Sequence, residues 1–209
     1  QAANRAAKRV QHETSIHRRR VSVPSVAVGE VATEVFETLH NKRVVLCGAG
    51  EMGEETLRYL KQAGANDICI VNRSYDRAIA LANTFSAESA LWDDLQEQIV
   101  DANLLICTTA ATEPILDEAT FLPLHARRKN RLLLILDLAV PRDVEPAIGE
   151  LSNVYLYGID DLQSACDRNR RERQKEWPKA KQVISEETQR FMQAFNHKAT
   201  GPVIQRLRE

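Results

Sequence analysis

Apolar residues recur along this chain in two alternating rhythms. Five short runs, Val44–Cys47, Ile68–Val71, Leu104–Cys107, 132–136 and 154–157, are apolar at almost every position. They are too short for helices and too continuous for strands with one wet face, so they read as strands buried on both sides. A further short strand is predicted at 89–91. Between the runs, apolar residues return every three or four positions at 52–63, Tyr75–Phe85, 93–100 and 117–125, the spacing of one helical face. Gly64 marks the stop of the first of these helices. Strands apolar on both faces that alternate with helices predict an α/β fold, a Rossmann-type doubly wound parallel sheet.

The flanks differ. Apolar residues at 28, 31, 32, 35, 36 and 39 predict a helix over 25–39, with Pro24 and Ser25 as its start signal. From Asp160 to about Asn196 the pattern becomes one long charged helix. Trp177, Ile184 and Phe191 stand seven apart on it, with Ala180 and Ala194 beside them. That stripe calls either for a partner helix or for packing within the chain. Pro178 predicts a kink or a break. The chain opens at Gln1, inside a helical pattern of Ala2, Ala3, Ala6, Ala7 and Val10, and its last eight residues are an apolar-periodic pattern cut short. Both ends read as truncated, so the chain is expected to be a piece of a longer protein. Three parts are expected: 1–22 as a tail and linker, 23–159 as the nucleotide-binding domain, and 160–209 as a long helix entering a further helical region.

Composition changes this picture little. With 209 residues, 44% hydrophobic, 27% charged and a net charge of −1, the chain reads as an ordinary globular protein with no strong electrostatic preference. No apolar stretch reaches membrane-spanning length and no signal peptide stands at the start. Cys47, Cys69, Cys107 and Cys166 form no CxxC pair, and the first three fall on strands. They read as reduced core residues of a cytoplasmic protein, with no metal site. Arg5, Lys8, Arg9, Arg18, Arg19 and Arg20 face one acid, Glu13, in the first twenty residues. That excess suits either RNA phosphates or a solvated helix face.

Candidate chemistry lies just after the first strand. Gly48-Ala49-Gly50-Glu51-Met52-Gly53 is a Gly-x-Gly-x-x-Gly pattern between a strand and a helix, with a second strand ending about twenty residues on. Gly48 suits a tight turn, Gly50 leaves room for a pyrophosphate against the backbone, and Gly53 allows close helix packing. The pyrophosphate would cap the helix, where free N–H groups and the positive dipole end face it. A glycine-rich turn of purely structural use is the alternative. The second strand ends in Asn72-Arg73-Ser74, where NAD sites usually carry an acid for the ribose hydroxyls. Arg73 can stack on adenine and pair with a 2′-phosphate, with Ser74 donating a hydrogen bond and Arg77 one turn on. NADPH is therefore the expected cofactor. Thr108-Thr109-Ala110 and Asp137-Leu138-Ala139 follow buried strands at their carboxyl ends and should line the nicotinamide, although Asp137 could instead cap the next segment. No catalytic residue is assigned. His12, His17, His40, His125 and His197 are scattered without a readable catalytic spacing.

These residues resemble glutamyl-tRNA reductase. The resemblance is carried by the glycine run, by Asn72-Arg73-Ser74, by Asp137-Leu138-Ala139-Val140-Pro141-Arg142-Asp143, and by the stretches 21–28 and 153–162. It implies a homodimer whose protomer has a catalytic domain, an NADPH-binding domain and a helical dimerisation domain reached through a long spinal helix. It also implies that a catalytic-domain cysteine outside this chain attacks glutamyl-tRNA. NADPH then reduces the thioester to glutamate-1-semialdehyde, the first committed step of tetrapyrrole synthesis. Two alternatives remain, a shikimate-dehydrogenase-like NADP oxidoreductase and a non-catalytic NADP-binding module.

Overall fold

The computed structural model describes residues 1–17 and 20–206, of which 196–206 are described as backbone. Arg18, Arg19, the side chain of His197 and residues 207–209 lie outside the described residues. The chain divides into two compact units. One is Val21–Cys166; the other joins Gln1–Arg20 to the chain from Asp167 onwards.

The first unit is built on a six-stranded parallel sheet: β1 (Val44–Cys47), β2 (Ile68–Val71), β3 (Glu88–Ala90), β4 (Leu104–Cys107), β5 (Leu133–Asp137) and β6 (Val154–Gly158). The spatial order is β3-β2-β1-β4-β5-β6. The chain steps outward from β1 to β3, then crosses back to β4, so the order reverses between β1 and β4. Cys47 is paired with both Val71 and Cys107, and Cys107 with Asp137. Four strands thus finish level at one edge, where ligands bind in such sheets.

Every residue of β1, β2, β4 and β5 is buried, which demands cover on both faces. Alternate residues supply the two sides. Val44, Leu46, Ile68, Ile70, Leu104 and Ile106 join one core with Leu57 and Leu60 of α4 (Glu51–Gln62). Val45, Cys69, Val71, Leu105 and Ile135 join the other, with Ile99 of α6 (Leu95–Asp101) and Phe121 of α7 (Glu118–Arg127). Gly64, at φ +84°, ends α4 where the Ala65 N–H returns to the Leu60 carbonyl at 2.9 Å. α5 (Tyr75–Phe85) links β2 to β3.

The helix predicted over 25–39 is displaced and irregular. It runs as α2 (Val23–Val26), a π-helical stretch Ala27–Ala32, and α3 (Thr33–Phe36). It starts early because Ser22 takes the cap position, exchanging hydrogen bonds with Ser25, and Pro24 falls in the first turn, where no donor is needed. Thr33 Oγ1 donates back to the Gly29 and Glu30 carbonyls at 3.0 and 3.2 Å, within the widened turns. Leu39 lies past the helix end yet is fully buried, so a loop residue had contributed to the helical count. α8 (Ile159–Arg206) passes through Pro178 without a break. One forfeited backbone bond is carried by the turns around it.

The second unit pairs α1 (Ala2–Glu13) with α8 residues from Asp167 onward. Glu187 of α8, 2% exposed, receives Arg5 at 2.5 Å, Arg9 at 3.1 Å and Arg190 at 2.8 Å. These partners, Arg5 first, hold its carboxyl below the usual range. Arg9 also meets Glu186, and the Ser15 N–H donates to Glu176. Two of the basic residues near the start are therefore occupied by α8 carboxylates. Ala180 and Val183 are buried, whereas Trp177, Ile184 and Phe191 stay about half exposed. The buried stripe of α8 is thus offset from the one the seven-residue spacing suggests.

One buried cation closes the sheet unit. Arg128, at the end of α7, is fully buried and donates to the carbonyls of Ile99, Val100 (3.0 Å) and Leu132 (3.1 Å). Burial lowers its pKa to about 10, which leaves it charged at neutral pH. Arg128→Ala strands those carbonyls, so unfolding by urea should show a loss of roughly 2–3 kcal/mol. A loss below about 0.5 kcal/mol, the size of an ordinary surface change, would mean water satisfies them as well.

Candidate functional site

The site is assembled where β1, β2, β4 and β5 end. After Cys47 the chain turns through Gly48, Ala49 and Gly50 into α4. Gly48 has φ +105°, and a Cβ there would lie 2.5 Å from Thr108 Oγ1 and 2.8 Å from the Thr108 carbonyl oxygen. A Cβ on Gly53 would lie 2.6 Å from the Gly48 carbonyl oxygen. Gly50 differs, because a Cβ there would meet nothing within 4 Å. Two glycines let backbone approach backbone, and the third leaves space open toward the cleft. α4 begins at Gly50 with no side-chain cap, so its first-turn N–H groups are available to an anion.

Each strand end is stitched to its neighbour. Thr108 donates to the Cys47 carbonyl through both N–H and hydroxyl, at 2.8 and 2.9 Å. Asn72 accepts from the Ala49 N–H at 3.2 Å and donates to the Ser74 carbonyl at 2.9 Å. Arg73 follows, its guanidinium 5.4 Å from the centre of the Trp92 ring. The cleft is about 270 Å³ and is lined by the Gly48–Gly50 turn, Asn72, Arg73, Arg77, Trp92 and the 108–111 turn. Arg73 and Arg77 are the charged residues in its wall, and no carboxylate lines it. Neither arginine pairs with a carboxylate among the described residues.

Beyond the cleft, Asp143 is fully buried and accepts from Thr109 twice, from the N–H at 2.9 Å and from the hydroxyl. Asp137 accepts from the backbone N–H groups of Ala139 (3.1 Å), Asp143 (3.0 Å) and Val144 (3.1 Å). It folds the 138–144 loop back onto β5 and fixes Asp143 opposite Thr109. Burial outweighs its three donors and pushes its carboxyl up to about 6.

The cleft therefore gathers Gly48, Ala49, Gly50, Asn72, Arg73, Arg77 and the Thr108–Thr109–Ala110 turn. Glu51 and Ser74 are exposed at the starts of α4 and α5, and Met52 packs on the core. Gly53, Asp137, Leu138 and Ala139 are buried behind the wall rather than lining it. Trp92 lines the cleft and Asp143 supports its 108–110 turn; neither was assigned to the site from sequence, where Asp143 entered only as the end of the 137–143 run. Trp92 follows β3 as Arg73 follows β2, and the two side chains meet just past the paired ends Val71 and Ala90. The thiols beneath the cleft are not poised as nucleophiles. A hydrogen bond with Cys47, then burial, raises the Cys107 thiol, and burial pushes Cys69 up to about 11.

The sequence profile of the Shikimate / quinate 5-dehydrogenase family matches residues 30–165. The chain belongs to this family. Within it, the likeness to glutamyl-tRNA reductases extends over the whole chain. The chain is 66% identical over 209 residues to the glutamyl-tRNA reductase of Rhodopirellula baltica, and 41% identical over 202 residues, 97% of the chain, to that of Thermodesulfovibrio yellowstonii. It covers 49% and 47% of those proteins. The solved glutamyl-tRNA reductase from Methanopyrus kandleri superposes with a TM-score of 0.83 at 32% identity, covering 93% of this chain and 49% of that one. The chain spans about half the length of the relatives it matches. The resemblance read from the motifs is borne out, and so is the doubly wound sheet followed by a long helix.

The wall of this family member fits an NADP-type dinucleotide. Gly50 opens a floor that a side chain would fill, the α4 start has no side-chain cap, and two arginines without a carboxylate partner among the described residues stand at the β2 end. Gly50 has φ −93° and ψ −173°, a conformation valine adopts readily, with no protein atom in its way. Gly50→Val should therefore fold normally by circular dichroism and lose dinucleotide binding in calorimetry. Gly53→Val should instead fail to fold, its Cβ meeting the Gly48 carbonyl. Unchanged binding by a folded Gly50→Val would move the phosphate site elsewhere.

Proposed function

We propose that this chain is the NADPH-binding region of a glutamyl-tRNA reductase. The observation that carries the reading is 66% identity to one such enzyme over all 209 residues. In this reading Gly50 and the first turn of α4 receive the pyrophosphate. Arg73 and Arg77 receive the 2′-phosphate, and the Thr108–Ala110 turn, held by Asp143, borders the nicotinamide. NADPH, when bound, supplies a hydride. The residues of this chain hold that cofactor toward a glutamyl thioester carried by a cysteine that is none of the four present here. The product is glutamate-1-semialdehyde. The same reading makes 1–22 the tail of a catalytic domain, 23–159 the NADPH-binding domain, and 160–209 a spinal helix leading to homodimer contacts, in a cytoplasmic enzyme that acts on glutamyl-tRNA.

Two measurements test this. By calorimetry the chain should bind NADPH about 10–100-fold more tightly than NADH, from a charge-assisted pair worth roughly 1.5–3 kcal/mol, and Arg73→Ala should remove that margin. Equal affinities would overturn the cofactor assignment. The chain alone should form no semialdehyde from charged tRNA and NADPH, because its thiols are buried. It should do so when a catalytic domain from a glutamyl-tRNA reductase relative is supplied. Reduction of dehydroshikimate by the chain would favour a shikimate-dehydrogenase activity instead.

A further inference from the structure

Trp92 has no place in the reading above, yet it sits on the cleft wall. It opens the turn Trp92–Asp94 directly after β3. β3 is only three residues long and half exposed, a poor contributor to the core. Its parallel pairing with β2 sets Val71 opposite Ala90, and just past those strand ends Trp92 and Arg73 meet. The indole is partly buried against the core that holds Cys69, Val71 and Leu95, so it is anchored from below. Its ring takes the Arg73 guanidinium at 5.4 Å. Arg73 itself is exposed, and an arginine at a strand end with no partner would sample many rotamers. Asp93 and Asp94 follow immediately and are exposed, but Arg73 pairs with neither among the described residues. The contact that holds it is the aromatic face, which leaves the donor fork of the guanidinium free.

We propose that Trp92 is a positioning residue for cofactor choice: by stacking on Arg73 it holds the guanidinium at the cleft wall, ready for the 2′-phosphate that distinguishes NADPH from NADH. This rests on the NADPH reading of the cleft. An aromatic ring suits the task better than a carboxylate partner. A carboxylate would consume the hydrogen-bond donors and repel the phosphate, whereas the ring takes only one face of the guanidinium. It also leaves the opposite face for adenine.

The test is a double-mutant cycle on the 209-residue chain, with NADPH and NADH affinities measured by calorimetry. Trp92→Leu should lower the NADPH-to-NADH affinity ratio about two- to fivefold, the range of an exposed cation–π contact, by weakening NADPH alone. Trp92→Tyr should keep the ratio within about twofold of the parent, a smaller change than loss of the ring brings. In an Arg73→Ala background, Trp92→Leu should leave the ratio unchanged. If the leucine variant does not fold, Trp92→Met removes the ring with less change in shape and takes its place. An unchanged ratio, equal weakening of both cofactors, or the same fall without Arg73 would overturn the proposal. Full NADPH preference in Arg73→Ala alone would instead overturn the cofactor reading on which it rests, so the two failures are distinguishable.

Discussion

The site depends on one close approach. Thr108, at the end of β4, comes so near the β1–α4 turn that Gly48 has no room for a Cβ, and the Gly48 carbonyl in turn leaves none at Gly53. The approach occurs where the strand order reverses, the one place in the sheet where the two chain ends of adjacent strands diverge to opposite sides. Thr108 holds it there through two hydrogen bonds to a single carbonyl, that of Cys47. With Gly48 packed on Thr108 and Gly53 on the Gly48 carbonyl, Gly50 is left as the turn's open position at the start of α4. The opening proposed for the phosphates is therefore a consequence of packing between β1, α4 and β4.

A continuous rim of hydrogen bonds extends that constraint to the rest of the site. Asn72 ties the end of β2 to Ala49, Thr108 ties β4 to β1, and Thr109 is held by Asp143, which Asp137 holds in turn. Buried carboxylates of this kind are costly unless every oxygen is used. Here Asp137 and Asp143 spend their oxygens on backbone and hydroxyl donors, so they work as struts. The turns expected to border the two ends of a dinucleotide are thus coupled through the protein, and a preformed site of this sort reduces the ordering cost of binding. Among the described residues the Arg73 and Arg77 guanidinium groups make no such hydrogen bond, which suits groups that must meet a ligand's charge.

The strands were legible because strands buried on both faces must be continuously apolar, and all five long runs sit within one residue of their observed places. The glycine turn was legible because its three positions have separate physical duties. Asp137 was less so: a carboxylate at a strand end can serve a ligand or its own loop, and only the three N–H groups folded onto it decide the matter. Trp92 was hidden because its contact with Arg73 joins the ends of two different strands, which no local pattern carries. The offset of the buried stripe on α8 was hidden because it includes Ala180 and Glu187, the latter met by Arg5 and Arg9 of α1, and a small residue and a charged one do not stand out in a hydrophobic pattern. The π-helical stretch before β1 has the residue spacing of an α-helix in sequence, and nothing at the level of pattern separates the two.

The central claim is that one rim, running from the glycine turn past β2 to the β4 turn, receives NADPH. Amide hydrogen exchange with and without NADPH tests it most directly. The account predicts slowed exchange at 48–53, 72–77 and 108–111 together, with α1 and the α8 residues after Asp167 unchanged. Protection confined to the α1–α8 unit, or none at the glycine turn under saturating NADPH, would contradict it.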